Sequence, residues 1–266
     1  MADMNPDWQI VADTMDPCRA AALNVALSLD GPPVVAGDAL PPFFHQVYFW
    51  QAEPAARLGR DGHPRVGAFI PDLGLPRRMW AGGRLKFPAP LIAGVSAERH
   101  SEIATVARKT GRSGPLGFVT LRHEIRQEGV LRIAEEQDLV YREEPAPDTP
   151  GAAPVFAPLD SEPERHAFST TLLFRYSALT LNGHRIHYDA DYARDVEGYA
   201  GLVVHGPLLA QLLMLKAARA APLRGFSFRG MRPLTHVETA VLNRDGARLW
   251  VRNGAGHLVM QAEAEW

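Results

Sequence analysis

An apolar segment at residues 201–220 most constrains the fold of this chain. Leu208, Leu212 and Leu215 recur in it at helical spacing, and the basic Lys216 suits the negative end of a helix dipole. Polar residues and a Gly-Pro pair interrupt the apolar run, so it falls short of a membrane span. The segment therefore predicts a buried helix.

Three short segments after this helix alternate apolar and polar residues, at 237–241, 247–251 and 258–264. Such alternation is typical of strands that are buried on one face. Turn residues at 243–246 and 253–256 separate the segments. The C-terminal region thus predicts an antiparallel meander that curls round one helix.

A segment rich in proline and alanine at residues 145–164 offers little to a helix or a central strand, so it predicts a linker. The expected domains are residues 1–144 and residues 165–266. Because the chain has 266 residues, it is long enough for two small domains.

The N-terminal domain carries weaker signals of the same kind. Asp16 and Pro17 begin a predicted helix, and strands are predicted at 43–50, 119–125 and 130–142. Two halves that each combine a helix with strands suggest a duplicated fold.

Residues 53–83 are rich in glycine and proline and too long for a simple connection. They form either a functional loop that covers a site or an insertion without such a role. The sequence favours neither alternative.

Composition restricts the class of protein. Hydrophobic residues make up 46% and charged residues 22%, which is ordinary for a globular protein. A net charge of -2 and a pI of about 6.6 leave no basic field for nucleic acid, so no such partner is expected. One cysteine, Cys18, cannot form an internal disulfide, and the N-terminal sequence lacks the blocks of a signal peptide. A cytoplasmic location without membrane attachment is the expectation.

The densest cluster of reactive side chains has the sequence Asn-Gly-His-Arg-Ile-His-Tyr-Asp, at residues 182–189. Gly-Leu-Val-Val-His-Gly-Pro-Leu follows at 201–208, and Arg-Arg-Met-Trp-Ala-Gly-Gly precedes both at 77–83. Together these segments resemble the MaoC-like enoyl-thioester hydratases and dehydratases, in particular the mesaconyl-C4-CoA and itaconyl-CoA hydratase group. The resemblance implies an α+β double hot-dog fold, in which two antiparallel sheets each wrap round a central helix and the N-terminal half is degenerate.

The resemblance also implies catalytic roles for His187, Asn182 and Gly206. A histidine can transfer protons in both directions near neutral pH, which suits His187 to hydration. The backbone N–H of Gly206, at a helix start, suits a thioester oxygen that becomes an enolate. Asn182 stands where the family pattern has an aspartate. Because an amide cannot accept a proton, Asn182 is expected to orient the water molecule.

Five further residues are predicted to contact the substrate, namely His184, Arg185, His205, Arg78 and Trp80. Arginine forks suit the phosphates of CoA or a carboxylate on a branched acyl chain. The alternatives are a solvated surface for each arginine and a buried structural histidine at position 205. The two histidines of the motif lack a third ligand at a convincing spacing, so neither a metal nor a cofactor is predicted.

The predicted activity is that of a hydro-lyase that acts reversibly on a 2-enoyl-CoA. The resemblance favours a short, branched dicarboxylic acyl group, as in mesaconyl-CoA or itaconyl-CoA, with citramalyl-CoA as the product. The alternatives are a dehydratase for 3-hydroxyacyl chains on acyl carrier protein, a noncatalytic acyl-CoA-binding protein, and a thioesterase. A homodimer is common among such folds, although no residue decides it.

Overall fold

The computed structural model describes residues 8–111, 114–144 and 153–266. Within these ranges the first five strands are β1 (Gln9–Asp13), β2 (Arg77–Lys86), β3 (Ala97–Gly111), β4 (Gly114–Gln127) and β5 (Val130–Arg142). The other five strands are β6 (Glu164–His166), β7 (Gly225–Gly230), β8 (Ala240–Asp245), β9 (Arg248–Asn253) and β10 (Leu258–Glu265). The α-helices in the same ranges are α1 (Pro17–Ala26), α2 (Thr170–Leu179) and α3 (Gly206–Ala218).

All ten described strands lie in one antiparallel sheet, in the order β1-β3-β4-β5-β2-β7-β10-β9-β8-β6. The order is symmetric about the β2–β7 pair, because β1, β3, β4, β5 and β2 correspond to β6, β8, β9, β10 and β7. Each half also has a helix directly after its first strand. This duplication confirms the predicted double hot-dog fold, and the two halves of the sheet join edge to edge where Gly82 pairs with Arg229.

The central helix α3 is apolar except for Gln211 and Lys216 and packs against β7, β8, β9 and β10. Leu208, Leu213 and Met214 are fully buried in it. The helix begins at Gly206 with Pro207 in its first turn, at the predicted helix start and five residues inside the apolar segment at 201–220. The preceding residues are extended because Val203 bridges Thr235 of the neighbouring connection.

The strand predicted at residues 43–50 is wrong. The structure has a single 3-10 turn there, at Phe44–Val47, between Phe43 with φ 70° and Phe49 with φ 58°. Left-handed residues reverse the chain, so an extended strand cannot continue through them. This turn follows α1 as α3 follows α2, so the N-terminal half has one helical turn at the chain position of a central helix.

The other predicted elements lie close to their observed bounds. The strand at 130–142 is β5, the strand at 119–125 lies within β4, and Asp16 caps α1 by accepting the N–H of Cys18 at 2.9 Å. The strand predicted at 237–241 is β8, which begins three residues later than predicted because Thr235 and Glu238 form a turn with a backbone bond of 3.0 Å. The strand β7, between α3 and β8, was not predicted.

The predicted linker lies partly outside the described residues, so the domain boundaries stay a prediction. In its described part, Phe156 forms a bridge with His257. None of the described helices is long and apolar enough to cross a lipid bilayer.

Candidate active site

A cavity of about 1650 Å³ lies between the two halves of the sheet. Both halves supply predicted or chemically reactive residues to its wall, namely Asp61, His63, Arg78, Trp80, Asn182, His184, His187 and Gly206. The structure therefore brings most of the predicted site together in one place.

His187 ends a 3-10 turn, Arg185–His187, and only 6% of its surface is exposed. Its Nδ1 lies 2.8 Å from the carbonyl oxygen of Val203. Because a carbonyl only accepts, Nδ1 carries the hydrogen and Nε2 is left as a proton acceptor. Burial lowers the pKa of His187 to about 4. The imidazole is therefore neutral at pH 7, as a base must be.

His205 supports this imidazole from behind. Its ring stacks on that of His187 at a centroid distance of 3.7 Å, and its Nε2 lies 2.8 Å from Oγ of Ser177. The side chain is fully buried and does not line the cavity, and burial lowers its pKa well below the usual value. This placement favours the structural alternative for His205 over contact with substrate.

Gly206 is the first residue of α3 and faces the cavity. A Cβ atom built on it would meet only the carbonyl oxygen of Trp80, at 3.8 Å. The first N–H groups of a helix have no acceptor within the helix and lie at its positive end. The geometry of Gly206 thus suits the predicted contact with a developing enolate oxygen.

Asn182 follows α2 and holds a tight turn. Its Oδ1 accepts the N–H of His184 at 3.0 Å, and its own N–H donates to the carbonyl of Ser177 at 2.8 Å. The amide oxygen is therefore engaged with the backbone. The amide nitrogen is left to donate to a water molecule in the cavity, which fits an orienting role.

Residues 77–83 of the predicted loop belong to strand β2, and the rest of it, residues 53–76, docks on the motif. The N–H of Arg185 donates to the carbonyl of Asp61 at 2.9 Å, and Gly62 touches Gly183 so closely that a Cβ on Gly62 would lie 2.0 Å from the carbonyl oxygen of Gly183. The loop places the side chains of Asp61 and His63 in the cavity wall. This placement favours the first of the two alternatives, a functional loop at the site, over an insertion without such a role.

Sequence reasoning missed Asp61 and His63. Their only local signal is a polar Asp-Gly-His triplet inside a glycine-rich loop, which many surface turns share. Oδ2 of Asp61 lies 3.0 Å from Nδ1 of His63, and the ring of His63 lies 4.5 Å from that of His184. The ring of His184 in turn lies 5.4 Å from that of His187. Three imidazoles and one carboxylate therefore line up along the cavity.

Electrostatics favour a hydrogen-bonded pair over a metal centre here. Burial and the charge of Arg78 lower the pKa of His63, and burial also lowers that of His184. Burial raises the pKa of Asp61, but the hydrogen bond and charge of His63 outweigh it, so the net shift is downward. The ligand atoms of Asp61, His63 and His184 lie within 4.8 Å of one another, close enough to surround an ion. The guanidinium of Arg78 disfavours a cation at that point.

Two adjacent arginines on β2 differ in their partners. Arg77 is buried and paired with Glu197 and, at 3.6 Å, with Glu144. Arg78 lines the cavity and has no carboxylate partner in the described part of the chain. The indole of Trp80 forms a wall of the cavity, and its Nε1 donates to the carbonyl of Gly82 at 2.9 Å.

Arg185 does not line the cavity. Its guanidinium donates to Asp189 at 2.7 Å and to the carbonyl of Arg60 at 3.2 Å, and it lies 4.3 Å from the ring centre of Tyr192. These contacts fix the motif against the loop. They do not support the predicted contact of Arg185 with substrate.

The docking of the loop can be tested at Gly62. Gly62→Ala places a Cβ against Gly183 at φ +88° and should displace the loop. We expect kcat/KM to fall at least about tenfold, since small displacements of catalytic groups are costly. Gly67→Ala is the matched control, because Gly67 also has a positive φ, of +104°, but nothing within 4 Å. Equal effects of the two substitutions in steady-state assays would contradict the functional docking.

Buried neutral histidines should also make the fold sensitive to mild acid. Burial lowers the pKa of both His187 and His123 to about 4, so the unfolded chain binds more protons than the folded one as pH falls from 6.5. The free energy of unfolding should drop by about 2 kcal/mol per histidine between pH 7 and pH 5. Urea denaturation at the two pH values measures this drop, and His123→Gln should reduce it. An unchanged drop in that variant would refute the assignment.

The comparisons with known proteins agree with this geometry. Residues 43–236 match the family described as hydroxyacyl-thioester dehydratase type 2. The chain is 47% identical over 229 residues to the mesaconyl-C(4)-CoA hydratase of Chloroflexus aurantiacus, with 82% of this chain and 80% of that protein covered. It is 28% identical to the mitochondrial hydroxyacyl-thioester dehydratase type 2 of Schizosaccharomyces pombe, with 80% of each chain covered.

Solved structures show the same fold at low identity. HtdX of Mycobacterium tuberculosis superimposes with a TM-score of 0.67 at 15% identity, covering 96% of this chain and 99% of that one. A MaoC-like dehydratase from Phytophthora capsici gives a TM-score of 0.68 at 11% identity, with 97% and 95% covered. The chain therefore belongs to the hydroxyacyl-thioester dehydratase type 2 family of hydro-lyases and has its double hot-dog fold.

Proposed function

We propose that this hydro-lyase adds water reversibly to a 2-enoyl-CoA whose short, branched acyl chain carries a second carboxylate. Mesaconyl-C4-CoA is the candidate substrate of this kind, and citramalyl-CoA is the corresponding product. Itaconyl-CoA is the second candidate and gives the same product, but its double bond lies one carbon further from the thioester, so its proton goes to the terminal methylene carbon. The similarity to a mesaconyl-C(4)-CoA hydratase supports this choice. The observation that carries it is the guanidinium of Arg78 beside the histidines, which has no carboxylate partner among the described residues.

Arg78 suits a carboxylate of the substrate. A cation in a cavity wall is partly desolvated, and a bound anion compensates for this loss of hydration. An arginine fork can hold both oxygens of a carboxylate. The neighbouring Arg77 already has such partners in Glu197 and Glu144. In mesaconyl-C4-CoA the free carboxylate is attached to the carbon that receives water. A cation close to the catalytic histidines is therefore required, and the charge of Arg78 is close enough to lower the pKa of His63.

The reaction follows from the remaining groups. Nε2 of His187 takes a proton from water as the water oxygen bonds to Cβ. The electron pair of the double bond moves toward the thioester oxygen, where the N–H of Gly206 stabilises the growing charge. Cα then takes a proton. Asn182 holds the water molecule in place without competing for its proton.

The polar lining of the N-terminal part of the cavity favours a substrate with a short and polar acyl group. Several polar or charged side chains line it, namely His45, Gln46, Arg99, Ser101, His123, Glu135 and Gln137. Glu135 is 2% exposed and bonded to Nε2 of His45 at 3.0 Å. A long alkyl chain placed here would strip water from these groups without replacing their hydrogen bonds. This disfavours the alternative of a dehydratase for long 3-hydroxyacyl chains on acyl carrier protein.

A cytoplasmic location and a homodimer stay predictions from the sequence.

A substrate panel tests the proposal. Mesaconyl-, itaconyl- and crotonyl-CoA are mixed with the protein, and the enoyl-thioester absorbance, the gain of one water by mass, and free thiol are followed. We expect kcat/KM for at least one dicarboxylic substrate to exceed that for crotonyl-CoA by about a hundredfold, as a buried charge pair allows. Equal rates for the three substrates would refute the proposal that the substrate carries a second carboxylate. Release of free thiol would indicate a thioesterase. Binding without turnover would indicate a noncatalytic protein.

A further inference from the structure

The motif supplies fewer proton-transfer groups than the reaction needs. Hydration removes a proton from water at one carbon and delivers a proton at the next, which is best served by a base and an acid. In the motif, only His187 has a free ring nitrogen backed by a bond that fixes its tautomer. Asn182 cannot take part, because an amide does not exchange protons in this range. The second group must come from elsewhere in the cavity wall.

The docked loop offers such a group in His63. Its Nδ1 lies 3.0 Å from Oδ2 of Asp61, and its backbone N–H donates to Oδ1 of the same carboxylate at 3.1 Å. Because an ionised carboxylate only accepts, Nδ1 of His63 carries a hydrogen and Nε2 is left to exchange protons. Both side chains line the cavity and are about one-fifth exposed or less.

We propose that His63 is a second catalytic histidine, the general acid at Cα during hydration, and that Asp61 is the residue that positions it. The inference rests on the proposed function, since it assigns a role in that reaction. The pair would thereby supply the carboxylate-backed group that the motif lacks at Asn182.

The surroundings of the two histidines divide the roles. His187 hydrogen-bonds to the carbonyl of Val203, and no carboxylate of the described residues is bonded to its ring, so its neutral form is favoured. His63 has a carboxylate at its ring, which favours the protonated form and opposes the effect of burial. Groups whose surroundings separate their proton affinities in this way serve as acid and base in one site.

Arg78 connects the acid to the substrate. The charged or titratable groups that face His63 are Asp61 from its own loop, Arg78 from β2, and His184 and His187 from the motif. The charge of Arg78 opposes protonation of His63. A substrate carboxylate bound to Arg78 would offset that charge and leave His63 better able to hold a proton. Substrates without the carboxylate would then lose kcat as well as affinity.

The proton steps balance. As the water oxygen bonds to Cβ, one water proton passes to Nε2 of His187. The electron pair of the double bond moves toward the thioester, and Cα takes the proton that His63 holds on Nε2. Solvent returns the proton from His187 to His63, so the cycle consumes only one water molecule. Dehydration follows the same steps in reverse.

His63→Gln and Asp61→Asn test the proposal. Glutamine keeps a donor for Asp61 but cannot act as an acid, so kcat should fall by about a hundredfold, a typical contribution of a positioned acid. Asp61→Asn should lower kcat about tenfold. The dissociation constant of the unreactive butyryl-CoA should stay within about twofold for both, because neither change removes a predicted contact with CoA. The control is His100→Gln, from an exposed pair in which His100 lies 2.9 Å from Glu98 outside the cavity.

Each outcome decides the proposal. A kcat of His63→Gln within about threefold of wild type would overturn it. A loss of butyryl-CoA affinity as large as the loss of kcat would also overturn it, because it would indicate a structural role for His63. Stoichiometric zinc in the purified protein that disappears in His63→Gln would also overturn it. A wild-type protein that turns over no enoyl-CoA would refute the proposed function together with the inference. An active wild type with an active His63→Gln would refute the inference alone.

Discussion

His187→Ala is expected to lower kcat for enoyl-CoA hydration at least about a hundredfold while the fold stays intact, a loss typical of a general base. The imidazole is buried, neutral and fixed by the carbonyl of Val203, so Nε2 meets the water molecule as an acceptor. Alanine removes this acceptor, and the neighbouring His205 cannot replace it because it does not line the cavity. Stopped-flow absorbance at the enoyl-thioester band measures the loss.

His166→Ala is the control for this prediction. His166 lies on β6 and does not line the cavity, so its removal should leave kcat unchanged. Thermal unfolding of both variants checks the fold. Near-normal turnover by His187→Ala, with butyryl-CoA still bound, would mean that another group activates water.

Arg78→Met should change the choice of substrate. Methionine keeps much of the volume but removes the charge, so kcat/KM for a dicarboxylic enoyl-CoA should fall at least about a hundredfold, since the substrate carboxylate would enter the cavity unpaired. Crotonyl-CoA lacks that carboxylate, and its kcat/KM should change less than about threefold. Steady-state assays with both substrates give the ratio of kcat/KM for the dicarboxylic enoyl-CoA to kcat/KM for crotonyl-CoA.

Arg84→Met provides the matched control on the same strand. Arg84 is exposed and paired with Glu136 at 2.8 Å and with Asp138 at 2.7 Å, away from the cavity. Its substitution should leave the ratio of the two substrates unchanged. If Arg78→Met lowers both substrates equally, Arg78 binds CoA or supports the fold, and the second carboxylate is recognised elsewhere.

Local sequence patterns predicted much of the fold. The helix α3 and the strands β5 and β10 have patterns that run the length of each element, so their bounds agree within a few residues. The turn at Phe44–Val47 was not predictable in this way, because its aromatic run has the composition of a strand. Only the left-handed backbone at Phe43 and Phe49 separates the two conformations.

The residues of the site likewise fall into those that a local sequence pattern indicates and those that only the folded chain brings together. Asn182, His187 and Gly206 belong to two short segments, and all three line the cavity. Their catalytic roles stay predictions. Asp61 and His63 reach the cavity from a loop about 120 residues earlier in the chain, through glycine contacts that leave no periodic signal. Such contacts become visible only once both segments are folded.

Ion pairs explain which of the predicted arginines are available to a ligand. Arg77 and Arg78 are equivalent in the sequence, but Glu197 and Glu144 neutralise only the first. Arg185 is likewise occupied by Asp189, which places it behind the site. A sequence pattern can indicate that arginines are present, whereas the partner of each one decides whether it is available to a ligand.

The most direct measurement is a crystal structure of the protein with a bound hydroxyacyl-CoA product that carries the second carboxylate. We expect the product hydroxyl within hydrogen-bond distance of Nε2 of His187, the thioester oxygen at the N–H of Gly206, and the free carboxylate on the guanidinium of Arg78. An acyl group whose carboxylate points to solvent, or whose hydroxyl lies beyond reach of His187, would contradict the account.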